Sequence, residues 1–553
     1  MESSTKDNNT KKGLLFQAGI LAVTGIISRI IGLLYGSPLA AIIGDEGNGY
    51  YGAAYAMYSI VLLISSYSIP SAMSKIISEK LAVKEYRNAH RIFRGALIYV
   101  CVVGGVGSMV LFFGADILAA GRSATVLRFF APSIFLFGFL GVLRGYFQAH
   151  RTMVPTSISQ LIEQVFNAVV SVGGAYILTG MAGDSDPSKR AVYGAIGSAV
   201  GTGSGVLVAL IFMFLVYRYN RSIVEKRIRE DEHEDMAAMQ IFRRIFMVVT
   251  PFILSTFIYN LSTSLNSTLF TRILIHAKNM EESDVLYQYG IFARKAMVIT
   301  NLPIALASAA AAAMIPEIST TFSRGDRQEA GVTVSRVTRV ILMISIPCAV
   351  GLFALARPVM MILFPQRASL DEAALLLRVL AITVVFYSLS TVTNAVLQAI
   401  GKVNVPVLNA VLALIVQTAA LVVLLVYTDL GDIALCIVTI IYSLMMCVLN
   451  NVIMKKNLPI NSDFKKTYLF PAISSLVMGA VAFLVHMLAS MLFGMFVPGE
   501  YFVNLFATLL SVLVAVFVYF TVLIKSGGAT REDILKFPKG NSIVGILEKI
   551  KIL

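Results

Sequence analysis

Apolar residues in this chain run in long blocks separated by short polar and basic connections. They do not alternate as in strands, nor recur only every third or fourth position as in a surface helix. A membrane-crossing helix needs about 20 mostly apolar residues. Fourteen blocks meet that length: 14–43, 50–72, 95–119, 124–148, 156–179, 191–216, 245–271, 289–314, 338–356, 374–400, 406–428, 433–454, 468–494 and 502–524. The pattern predicts an all-α polytopic membrane protein of about 14 transmembrane helices. The first block is too long for one straight crossing, and Gly25, Gly32 and Gly36-Ser37-Pro38 predict a bend within it.

Composition excludes the alternative of several soluble domains. Of 553 residues, 57% are hydrophobic and 14% charged, with a mean hydropathy of +0.79. So little charge cannot keep a chain this size dispersed in water. The net charge of +14 is read as topology before it is read as a nucleic-acid footprint, because Lys and Arg collect in cytoplasmic loops. With alternating sides, 33 of the 45 basic residues fall at the N-terminus, in 73–94, 144–151, 217–244, 315–339, 401–405 and 455–466, and in the tail from Lys525. Both termini are therefore expected in the cytoplasm. The four cysteines lie in apolar runs, and Cys/His metal spacing is absent from the sequence. The sequence also lacks a phosphate-binding GxxxxGK[ST] loop and an H-E-x-x-H pair. No enzyme activity and no cofactor are expected, and transport would draw on the membrane potential or an ion gradient.

An internal duplication is legible. Leu127-Arg128 opens the fourth block and Phe147-Gln148-Ala149 ends it, while Leu377-Arg378 and Leu397-Gln398-Ala399 bracket the tenth at a constant offset of 250. Val154-Pro155 and Val405-Pro406 follow in turn, and Ile69-Pro70 in the second block matches Leu302-Pro303 in the eighth. Blocks 1–6 and 7–12 then form two related six-helix lobes of like orientation around a central cavity, plus two C-terminal helices. The expected divisions are 1–216, a charged cytoplasmic linker 217–244, 245–454, the last two spans within 455–524, and a cytoplasmic tail 525–553. In that tail Ile543, Val544, Ile546, Leu547 and Ile550 recur at helical spacing, as in a short interfacial helix.

Charge inside hydrocarbon is costly, about 2.5–3.5 kcal/mol on insertion scales, so each such residue is a functional candidate. Arg29 lies in the first block, and Arg294 and Lys295 lie near one end of the eighth. Each could instead snorkel to the interface. As a cavity set they would bind an anion such as a phosphate or diphosphate, which Arg can grip at two points. In the fifth block Glu163 stands with Gln160, Gln164 and Asn167 at helical spacing. It could neutralise a cavity arginine, carry a coupling ion, touch sugar hydroxyls or simply form an interhelical seam. In the seventh, a run from Asn260 through Asn266 to Thr268 is polar enough to line water. Asp45-Glu46-Gly47-Asn48-Gly49 has the Gly and Asn content of a tight, solvated turn.

Ser28-Arg29-Ile30-Ile31-Gly32 and Ile43-Gly44-Asp45-Glu46-Gly47-Asn48-Gly49-Tyr50-Tyr51-Gly52 resemble the polysaccharide-biosynthesis/stage V sporulation protein B family. The likeness continues through Phe292-Ala293-Arg294, Leu302-Pro303 and Met314-Ile315-Pro316-Glu317. That family belongs to the multidrug/oligosaccharidyl-lipid/polysaccharide exporter superfamily and is close to the MurJ-type lipid II flippases. The resemblance implies a flippase in the bacterial plasma membrane. Its cargo would be an undecaprenyl-diphosphate-linked saccharide, foremost lipid II, carried from the cytoplasmic to the outer leaflet, with Arg29 and Arg294 on the diphosphate. Partners implied are that lipid-linked saccharide, anionic membrane lipids and cell-wall synthesis proteins, with no nucleic acid. Here Tyr35-Gly36 stands where Gram-negative flippases carry a second Arg-Asp, and 50–72 holds no charge. A drug/cation antiporter of the same superfamily, or a non-transporting scaffold, is the competing expectation.

Overall fold

In a computed structural model, the structure describes residues 2–67, 69–150, 152–183, 186–231, 233–402, 404–460, 463–528 and 545. The interfacial helix expected at Ile543–Ile550 lies outside the described residues except for Gly545. Among the described residues the fold is wholly helical, and each of the fourteen apolar blocks falls on helix. The chain divides into two compact units, Met1–Gly290 and Ile291–Leu553.

Unit 1 comprises α1 (Glu2–Leu62), α2 (Ile69–Ala82), α3 (Tyr86–Phe113), α4 (Ala115–Leu118), α5 (Ser123–Ala149), α6 (Val154–Ala182), α7 (Pro187–Arg229), α8 (Ala238–Arg272) and α9 (Glu282–Gly290). Unit 2 comprises α10 (Met297–Ser323), α11 (Arg327–Ala354), α12 (Ala356–Leu363), α13 (Leu370–Leu380), α14 (Thr383–Ala399), α15 (Asn404–Tyr427), α16 (Asp432–Asn457), α17 (Phe470–Gly494) and α18 (Glu500–Lys525). Among the described residues, ten stretches are long and apolar enough to cross a membrane, or eleven if the pair 367–380 and 383–399, bent by 42°, is one crossing. This multi-pass architecture is the one expected, but the count of fourteen is not reached on that measure. One reason is that the first two blocks join in a continuous stretch, Ile27–Ala82.

The bend in α1 is not where the sequence pointed. Pro38 sits inside the helix, and the non-helical residue is Gly44, at φ 70 and ψ 179. A side chain there would meet strain, which is why the break falls on glycine. The Asp45–Gly49 segment beyond it is helical rather than a solvated turn. Asp45 is 8% exposed and Asn48 2%. Glycines on both sides serve its close packing on α9: a Cβ at Gly49 would collide with the Leu286 carbonyl of α9, and one at Gly290, the last residue of α9, with the Asp45 carbonyl.

Two helices of unit 1 meet backbone to backbone. Gly197, Gly201 and Gly205 recur every fourth residue along α7 and face α6. A Cβ on them would strike, in turn, Gly174 and Ala175, Ser171, and the Glu163 carbonyl. Small residues at four-residue spacing allow this approach in a lipid setting, where packing rather than hydrophobic burial drives association. Asp186 caps the start of α7, accepting from the Lys189 amide at 3.1 Å.

The linker expected at 217–244 is helical as far as Arg229, and the segment after it is pinned to α3. Asn88, 2% exposed, donates to the Glu234 carbonyl at 2.9 Å and accepts from the Met236 amide at 2.9 Å. Asp231 accepts from the amides of Arg87 at 2.6 Å and His233 at 3.0 Å, and its second link to His233 is through the ring at 2.6 Å. Burial alone would raise the Asp231 carboxyl. The Arg87 and His233 amides and the His233 ring outweigh it and hold the group below its ordinary value. A depressed carboxylate stabilises the fold above its unfolded pKa, about 3.9, and that contribution is lost as pH falls through the folded value. The protection of the Arg87 and His233 amides against hydrogen exchange, relative to their intrinsic rates at each pH, should fall on acidification below about pH 4. In Asp231→Asn that protection should already be low at neutral pH and should not fall further on acidification.

Candidate functional site

The intramembrane charges are divided between the two units. Arg29 lies on α1 and is exposed, beside Ile27, Ile30 and Leu34 at 42%, 44% and 60%. A guanidinium presented on an apolar helix face is open to a ligand carrying negative charge. Arg294 and Lys295 lie in unit 2, in a π turn at Ile291–Ala296, a local widening of the helix that often marks functional positions. Arg294 is half-buried. Lys295 is 1% exposed; its Nζ donates to Ser369 Oγ at 2.7 Å and stands 5.9 Å from the Phe364 ring centroid. Lys295 therefore holds the α12–α13 connection and does not snorkel out.

Glu163 has a partner that sequence reasoning missed. Arg144 of α5 donates from Nη2 to Glu163 Oε2 at 2.7 Å and from Nε to Ser159 Oγ at 2.8 Å. The side chains are only 7% and 17% exposed. Arg144 stands near the end of an apolar block, and the sequence alone places it in the cytoplasmic connection 144–151. The structure continues α5 to Ala149 and turns Arg144 inward. The available signal was its setting: Gly141-Val142-Leu143-Arg144-Gly145 is an uninterrupted apolar stretch but for the one charge.

Asn167, one face-turn along α6, belongs to a neutral seam. Its Oδ1 accepts from Ser171 at 2.9 Å and from Thr202 at 3.5 Å, and its Nδ2 donates to the Tyr35 hydroxyl at 3.4 Å. Thr202 Oγ1 lies 3.2 Å from the Tyr51 hydroxyl. Gln160 is half-buried. Thus Tyr35 closes a hydrogen-bond network.

The polar run of α8 is largely enclosed rather than water-lining. Ser262, Ser264, Asn266 and Ser267 are buried, Asn260 is half-buried and Thr263 is exposed. Ser264 donates to the Ala56 carbonyl at 2.5 Å, so the run packs on α1.

Unit 2 holds an amide chain that the sequence did not single out. Asn409 of α15 donates to Asn450 of α16 at 2.8 Å, and Asn450 donates to Asn394 of α14 at 2.7 Å. Asn450 is fully buried. Arg144 and Asn394 differ by the same 250 positions as Arg128 and Arg378. At that offset one half carries a charged pair and the other a neutral amide chain.

Among the described residues, groups of His, Cys, Asp and Glu able to hold a metal ion are absent.

Residues 14–322, more than half of the chain, match the family model described as "Polysaccharide biosynthesis protein", and residues 293–424 match one described as MatE. The chain is 22% identical over 420 residues to "Lipid II flippase MurJ" of Bacillus subtilis (strain 168), covering 72% of this chain and 75% of that one. It is 24% identical over 458 residues to "Stage V sporulation protein B" of the same organism, covering 81% and 84%. Among solved structures, a lipid II flippase MurJ in an inward closed conformation superposes with a TM-score of 0.62 at 15% identity, over 91% of this chain and 97% of that one. An inward-facing MATE family transporter gives 0.62 at 16% identity, over 78% and 94%. These likenesses establish the fold.

Proposed function

The chain belongs to the polysaccharide biosynthesis protein family, and from that membership we propose that it is an alternating-access flippase. Its cargo is an undecaprenyl-diphosphate-linked saccharide, with the peptidoglycan precursor lipid II first among candidates. Movement is from the cytoplasmic to the outer leaflet of a bacterial plasma membrane, with both termini in the cytoplasm. The observation that carries this reading is the match to the family model over residues 14–322, joined by similarity over 72% of the chain to a protein named as a lipid II flippase. In this reading Arg29 and Arg294 each engage the diphosphate during the cycle, as charge-assisted donors suited to phosphate oxygens. Lys295 acts behind Arg294 through its bond to Ser369. The membrane potential or an ion gradient supplies the energy.

The MatE match over 293–424 and the MATE superposition favour a second reading, drug/cation antiport. That reading needs a membrane-embedded carboxylate to exchange cations. Glu163, the carboxylate the sequence offered, is committed to Arg144.

The test is purified protein in vesicles bearing fluorescent lipid II, scored by accessibility of the label in the outer leaflet. Wild type is expected to move it, while Arg29→Ala and Arg294→Ala each slow it by roughly tenfold to a hundredfold, the value of one hydrogen bond to a charged group. Wild-type rates in both variants would remove the arginines from the mechanism. No movement by the wild-type protein alone would favour a scaffold role beside cell-wall synthesis proteins.

A further inference from the structure

Unit 1 carries a groove that the diphosphate reading leaves unused. It holds about 450 Å³ and lies between α3, α5 and α7. Leu97, Phe139, Leu143, Leu210 and Phe214 line it, together with Arg94 and Tyr217. Phe214 is 52% exposed and Ile211 50%, so the groove opens on the outer surface of three membrane-crossing helices. An apolar recess of that kind does not hold water, which needs two to four polar partners. In a bilayer its natural content is hydrocarbon, and its volume equals about fifteen waters of liquid, the scale of a single acyl chain.

The polar end supplies the selectivity. Arg94 and Tyr217 stand toward the α2–α3 and α7–α8 connections, the ends expected in the cytoplasm. Arg94 is exposed and has no ion pair among the described residues. Arg221 follows Tyr217 by one helical turn and interacts electrostatically with it, as Arg94 does. Glu225 takes only the Nε of Arg221, at 2.6 Å. One unpaired and one half-engaged guanidinium at the end of an acyl-sized groove fit a phosphate. The cytoplasmic leaflet is where anionic lipid concentrates.

We propose that this groove binds an anionic phospholipid of the cytoplasmic leaflet, with one acyl chain between α3, α5 and α7 and the phosphate on Arg94, Arg221 standing beside it. The assignment rests on the membrane orientation in the proposed function but on none of the residues assigned to the diphosphate.

The chain contains no tryptophan, so Phe214→Trp provides a sole fluorophore inside the groove. Phe517→Trp, on the lipid-facing side of α18 at 49% exposure, provides the reference. Both are reconstituted in vesicles containing acyl-brominated phosphatidylglycerol or acyl-brominated phosphatidylcholine. Quenching of Phe214→Trp should favour phosphatidylglycerol about fivefold, the value of one basic side chain near an anionic headgroup, while Phe517→Trp shows no preference. Arg94→Gln in the Phe214→Trp background should abolish the preference, and Arg94→Lys, which keeps a point charge, should retain most of it. Equal quenching by the two lipids with Arg94 present overturns the site, as does a preference that survives Arg94→Gln. Displacement of brominated phosphatidylglycerol by a small mole fraction of lipid II would assign the groove to the substrate's prenyl chain and overturn the proposal likewise. A negative result leaves the flipping assay intact, and loss of flipping in Arg29→Ala leaves this assay intact.

Discussion

Replacing Glu163 by leucine should cost about 3–5 kcal/mol of stability, and replacing Arg144 by leucine less, while the double replacement should recover most of the loss. The asymmetry follows from which charge is stranded. Without Glu163, the Arg144 guanidinium remains enclosed between α5 and α6 at 7% exposure with only Ser159 to receive it. Arg cannot shed its proton. Without Arg144, the Glu163 carboxyl can take up a proton and remain neutral at a smaller cost. Removing both partners leaves neither charge, and apolar replacements of similar volume are often neutral or better. Chemical denaturation of purified protein, followed for all three variants and the parent, measures the cycle. Additive single effects would show that the pair is not coupled, and Arg144→Leu as the worse single variant would reverse the assignment of cost.

The second large effect sits where α6 and α7 touch. Gly201→Ala is expected to destabilise by about 1–3 kcal/mol, the range for overpacking a well-filled contact. Gly203→Ala, two positions away, should be neutral or stabilising by up to about 1 kcal/mol, the helix-propensity difference between Gly and Ala. At Gly201 a new Cβ would strike the Ser171 hydroxyl and the Ser171 backbone, and backbone cannot rotate aside. At Gly203 the nearest atom is the Ser133 Cβ at 3.7 Å, an ordinary contact. The same unfolding measurement decides it: equal midpoints for the two variants would mean that α6 and α7 are not closely apposed there.

What the sequence carried well is what depends on averages over twenty residues. Each of the fourteen apolar blocks falls on helix, because the lipid solvent leaves few alternatives to a helix for an apolar run, although among the described residues only ten or eleven stretches are long and apolar enough to cross. Single positions were harder, because their meaning depends on what lies across the interface. Arg144 reads as a loop cation until α6 brings Glu163 to it. Gly49 reads as part of a turn until α9 is seen lying against it, where the missing side chain is needed for clearance. Pro38 drew the bend in α1 to itself, yet proline can be carried inside a membrane helix when neighbours satisfy the freed carbonyl, and the break falls on Gly44. Asn394, Asn409 and Asn450 lie 15 and 41 residues apart in sequence, and only the packing of three helices makes them a chain.

The contrast between Arg144–Glu163 and the Asn394–Asn450–Asn409 chain has a bearing on ancestry. If the two halves descend from one duplicated segment, at least one copy has exchanged its internal polar joint since the duplication. Mutations arrive singly, so the lineage passed through forms with half of a charged pair. The acid-first route is far less damaging: a lone glutamate can wait in its neutral form for an arginine, whereas a lone arginine has no neutral form to wait in. Reconstructed ancestors of this family should accordingly show a carboxylate at the Glu163 position before a cation at the Arg144 position.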